Sequence, residues 1–133
     1  MTQENKELLL KDLCARLPYS VKVESVFINP DTKEHKLWGI EVFDATSLLM
    51  IRDGLGEFKP YLFPISSMTD EQKDEYHNTC NVALNRWGEE SYYATDESID
   101  WLNAHHFDYR GLVPMGLAID ATDKNIYYNL LLE

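Results

Sequence analysis

The feature that most constrains the fold is a change of hydrophobic period that occurs twice along the chain. Leu10, Leu13, Cys14 and Leu17 follow the i, i+3, i+4, i+7 spacing of one buried helical stripe, which Leu9 widens. Pro18 closes this helix, predicted over residues 1–18, because proline disfavours a helical residue before it and cannot donate to the ladder. Alternation then takes over for residues 20–65. Val21 and Val23 alternate with Lys22 and Glu24, whereas Val26 and Ile28 fall on the opposite parity. One extra residue near Ser25, a β-bulge, would return both pairs to one face. Asn29, Pro30, Asp31 and Thr32 signal a turn, and Trp38, Ile40 and Val42 alternate with Gly39 and Glu41 in the next strand. The run Leu48 to Ile51 reads as a short strand covered on both sides or as a helical turn, which periodicity does not separate. After a hairpin-type loop at Asp53–Gly56, the residues Phe58, Tyr61, Leu62 and Phe63 make a last strand that Pro60 places on an edge.

Helical signals return over residues 67–107. Thr69 to Gln72 has the form of a capping box, with acidic residues at the positive helix end. Tyr76, Cys80, Ala83, Leu84 and Trp87 extend it as one apolar stripe to a stop at Gly88. A second helix starts at Thr95 and carries Ile99, Trp101 and Leu102, with His105 and His106 at its far end. Gly111, Pro114 and Gly116 mark turns, and residues 120–133 form a tail. The whole reads as one α+β domain, residues 1–133. Its parts are an N-terminal helix, a three- to four-stranded antiparallel meander, and two helices packed on the sheet.

Charge narrows the function. Residues 61–108 hold ten acidic side chains against two basic ones, Lys73 and Arg86, within a chain of net charge −11. Such a stretch has no cationic surface for phosphates or anionic lipid, so direct nucleic-acid and membrane binding are not expected. The acidic half is either a solvated face or one that docks on a basic protein partner. No apolar run is long enough to span a membrane, and the polar N-terminus does not read as a secretory signal. Cys14 and Cys80 are too few for a disulfide framework and show no zinc spacing; both are expected as buried free thiols in a cytoplasmic protein.

One segment concentrates chemistry: Trp101, His105, His106, Asp108, Tyr109 and Arg110. As a site, His105, His106 and Asp108 would ligate a metal and Arg110 would hold an anion. Adjacent helical side chains diverge by about 100°, however, so only one histidine would join Asp108, with His35, His77 or glutamates completing the set. As structure, a histidine caps the negative helix end, Trp101 and Leu102 are core, and Asp108 pairs with Arg110 to close the turn at Gly111. No Gly-x-Ser-x-Gly elbow is present, Gly54-Leu55-Gly56 leads into no helix signal, and Asp120–Asp123 lacks calcium-loop spacing. No cofactor is expected. The pairs Tyr92–Tyr93 and Tyr127–Tyr128 are either exposed contact residues or half-buried edges of the core.

Three blocks also carry a resemblance. They are Leu8–Tyr19, Tyr61–Gln72 and the run Asp100–Ala118, Asp-Trp-Leu-Asn-Ala-His-His-Phe-Asp-Tyr-Arg-Gly-Leu-Val-Pro-Met-Gly-Leu-Ala. Together they resemble a family of small proteins of Bacteroides-type gut bacteria and of their phages and integrated elements. The family has no assigned activity, so the resemblance transfers no catalytic residue. It implies a cytoplasmic accessory protein of a phage or mobile element. The expected function is therefore an acidic interaction protein without catalysis, the alternative being a small metal-dependent or hydrolytic enzyme at His105, His106 and Asp108.

Overall fold

Helix α1 (Gln3–Arg16) begins at Thr2, whose hydroxyl accepts from Asn5 N–H, and its α-helical part ends two residues before Pro18. The computed structural model describes residues 1–127. The buried face of α1 is Leu9, Asp12, Leu13 and Arg16, so the stripe lies about one residue round from the expected one. Leu10 and Cys14 are exposed. The reason is an ion pair: Arg16 Nε donates to Asp12 Oδ2 at 2.9 Å with both side chains fully buried, so charged residues hold positions that apolar periodicity leaves out.

The sheet follows. Strands β1 (Lys22–Ile28), β2 (His35–Val42) and β3 (Gly56–Pro64) are antiparallel, in the spatial order β2-β1-β3. The connection is not a simple meander, because helix α2 (Ala45–Arg52) carries the chain from β2 back to the far side of β1. This helix takes up Leu48–Ile51, the run that periodicity left between strand and helix. Asp44 and Ser47 cap it reciprocally, a short-range signal that outweighs the apolar run. The ladder irregularity falls between Ser25 and Val26, but the extra residue is Trp38 of β2. Val26 and Ile28 therefore stay on the face opposite to buried Val21 and Val23.

Pro60 is buried inside a central strand, not on an edge. It occupies the last pair of the β1 ladder, opposite Val23, and at Tyr61 the chain passes to parallel pairing with β7 (Ile119–Asp120). A missing N–H costs least where one ladder ends and another begins. Strand β6 (Phe107–Asp108) adds a second parallel pair at Phe63 and Pro64. The Tyr127 hydroxyl fills the gap where β1 and β3 part, accepting from Lys22 N–H at 2.9 Å and donating to Tyr61 O at 2.7 Å. The expected tail is thus docked as far as it is described; Tyr128 and the residues after it lie outside the described residues.

The second half is less helical than its stripe suggests. Helix α3 (Asp70–Thr79) has the expected Thr69–Gln72 capping box but stops at Thr79. Residues from Asn81 onward form a hairpin of β4 (Asn81–Leu84) and β5 (Glu90–Tyr93). Asn85 decides this. Its Oδ1 accepts from Trp87 and Glu89 N–H, and Gly88 adopts φ +79° to close the turn. Helix α4 (Asp96–Ala104) starts at the expected Thr95 cap. The main core joins Leu9 and Leu13 of α1 to Val21, Val23, Phe58 and Leu62 of the sheet. A second cluster packs Leu102 of α4 against Met68, Phe107 and Phe63. The result is α+β, with the helices packed on one mixed sheet.

Candidate functional site

The segment Trp101–Arg110 is the corner where α4 turns into β6. Backbone geometry places each of its side chains. His105 is the C-cap of α4, and its Nδ1 lies 2.9 Å from Trp101 O. A carbonyl only accepts, so Nδ1 carries the proton. The imidazole stacks on the Trp101 indole at 4.0 Å, and that indole lies parallel to Phe107 at 5.7 Å. His106 then adopts the left-handed φ of +63°, which swings its ring to the other side of the chain. There it stacks on Tyr127 at 3.9 Å, while its carbonyl accepts from Phe63 N–H.

Asp108 is buried and turned to the backbone, accepting from Leu112 and Val113 N–H at 2.9 Å each. The expected Asp108–Arg110 pair does not form. Arg110 instead reaches back to Asp12 Oδ1 at 2.8 Å, where the α1 carboxylate also holds Arg16. Arg16 continues to Phe107 O, and Tyr109 sits beneath both guanidinium groups with its hydroxyl on Asn103 Oδ1. One carboxylate from α1 thus ties two arginines to the α4–β6 corner. Sequence reading missed Asp12 and Arg16, although their i, i+4 spacing in phase with Leu9 and Leu13 was the available signal.

Burial pushes the His106 imidazole down to about 4, helped by electrostatic repulsion from Arg16, His105 and Lys22, so the ring is neutral at physiological pH. Its Nδ1 is buried with no hydrogen-bond partner among the described residues. Burial raises the Tyr127 hydroxyl far above its usual value, so it too stays neutral. His105, His106 and Asp108 therefore face three different partners: an indole, a phenol and a pair of amides. Among the described residues no group of three or more His, Cys, Asp or Glu side chains is gathered to hold a metal. A cleft of about 370 Å³ does open beside the corner, with His105, His106, Phe63, Gln72 and Tyr127 on its walls. The His106 ring and the Tyr127 hydroxyl on its walls are neutral, and Gln72 is already committed to the Thr69 cap.

The surface that stands out lies elsewhere. Every residue of β4, β5 and the turn between them is exposed, with Leu84 at 67% and the turn residue Trp87 at 73%. Tyr92 anchors this ribbon to α3 by stacking on His77 at 3.8 Å, and Thr95 Oγ1 donates to Thr79 O at its base. Asp70, Glu71, Asp74 and Glu75 of α3 and Asp96, Glu97 and Asp100 of α4 belong to the elements on either side of it in the chain. The two cysteines are free, Cys14 exposed and Cys80 half-buried, which corrects the expectation of two buried thiols. Among the described residues no helix is long and apolar enough to cross a membrane. Comparison with family models, with curated proteins and with solved structures found no match to this chain.

Proposed function

We propose that this protein is a non-catalytic interaction module whose acidic half, residues 61–108, docks on a basic protein partner. The observation that supports this is the β4–β5 ribbon. A two-stranded ribbon has no second layer to bury its apolar side chains against, and one standing alone is marginal in water. Here Val82 and Leu84 share one face with Tyr92, and Trp87 is exposed at the turn, in a stretch with ten carboxylates and two cations. Exposed apolar side chains in a strongly charged stretch fit a protein-binding surface. The sign of that charge selects a basic partner and repels nucleic acid. The family resemblance adds context: a cytoplasmic accessory protein of a phage or mobile element, with its partner in the same cell.

Affinity capture with paired baits tests the reading. Wild-type bait should retain a basic protein that 0.5 M salt, about a 4 Å screening length, releases. Leu84→Asp bait, altered at an exposed position, should fail to retain it while remaining folded. Retention of the same protein by both baits, or tight binding of bare DNA by the wild type, would refute the proposal.

A further inference from the structure

Strand β2 ends the sheet order β2-β1-β3-β6, so among the described residues one of its edges has no strand beside it. The ladder shows which residues turn their backbone to that edge. Ile28 N–H donates to Leu55 O at 2.8 Å and Lys22 N–H to the hydroxyl that bridges to β3, so the even-numbered residues of β1 face β3. Val21 O accepts from Phe43 N–H at 2.9 Å, so the odd-numbered ones face β2. Antiparallel alternation then directs the partners of the even-numbered residues outward. Those partners are His35, Leu37, Ile40 and Val42.

The bulge at Trp38 spaces these four positions by two, three and two residues, a pattern that reads the same from either end. A regular strand loses register at the three-residue step, which is how a bulge ordinarily protects an edge. A strand with the same bulge, running antiparallel, matches all four positions. We propose that β2 pairs with β2 of a second copy of this chain, about a twofold axis between Trp38 and Gly39, joining two sheets into one. In that register Leu37 and Ile40, exposed at 64% and 56%, stand opposite each other across the axis. Lys36 meets Glu41 of the other copy, and the Trp38 indole lies over Gly39, the strand's one position without a side chain. Charge, volume and backbone donors all match in this one register.

Sedimentation across a concentration series, with charge-reversed variants, tests the pairing. The wild type should be a reversible dimer. Lys36→Glu sets two carboxylates opposite each other at both ends and should weaken the dimer by about tenfold, and Glu41→Lys should do the same with two ammonium groups. Mixing the two variants pairs Glu with Lys at both ends and should restore the wild-type dissociation constant. The amides of Leu37 and Ile40 should exchange more slowly as wild-type concentration rises. A monomer at every concentration, or a dimer indifferent to Lys36→Glu, overturns the proposal. So does a mixture of folded variants that stays dissociated. Should Glu41→Lys fail to fold, concentration-independent exchange at Leu37 and Ile40 overturns it alone.

Discussion

At the residue scale, the buried polar groups carry the account. Asp12 is shared by Arg16 and Arg110, and both Asp12 and Arg16 are fully buried. Asp12→Ala leaves a guanidinium in the core without its counter-charge and should cost about 3–5 kcal/mol in urea denaturation. Cys14→Ala, on the exposed face of the same helix, should stay within about 0.5 kcal/mol of the wild type. His106 makes stability depend on pH. Its folded pKa of about 4 lies below the unfolded value of about 6.5, so the unfolded chain takes up the proton first. The stabilising contribution is complete above about pH 6.5 and is lost as pH falls toward 4. Discounted for the partial exposure of the ring, it amounts to about 2 kcal/mol. His106→Asn keeps a residue that tolerates positive φ, and should flatten that part of the stability profile relative to the wild type. An unchanged slope between pH 6.5 and 4 would show that His106 is not the group responsible. Sequence reading found His105, His106 and Asp108 but not their directions. One left-handed residue separates the two rings, and φ is not written in residue type.

At the element scale, the capping residues were the most legible signals. Thr69 and Thr95 cap the helices where the sequence places them, because a cap is decided within four residues. Apolar spacing was less decisive. Tyr76, Cys80, Ala83, Leu84 and Trp87 fit a helix, yet Val82, Leu84 and Tyr92 also fit strands, and the Asn85–Gly88 turn settles the matter. Pro60 misled for a related reason, since the rule that confines proline to edges admits the point where one ladder hands over to another. The hairpin's dynamics follow from its isolation. Among the described residues its cross-strand bonds have no sheet beside them, so amides of β4 and β5 should exchange by local opening. Those of β1 and β3, flanked by core on Val23 and Leu62, should need global unfolding. Equal protection of hairpin and sheet would mean that the ribbon is buried in solution.

At the scale of the whole molecule, the change of period was enough for an α+β fold, because order of elements is a property of the chain. Which faces stay open is not. Trp38, Ile40 and Val42 alternate as a half-buried strand would, yet all are exposed, since nothing in the strand records whether a layer covers it. Exposed apolar side chains among the described residues include two groups of different character: a bulged edge with balanced charge at β2, and a ribbon in the acidic half at β4–β5. We propose that the ribbon, not the histidine corner, is where this protein meets its partner. Photo-crosslinking in the native cell tests it most directly, with benzoylphenylalanine replacing Trp87 in one variant and His105 in another. Adducts to a basic protein from position 87, and none from position 105, are the result this account predicts. Adducts from position 105 with none from position 87 would contradict it.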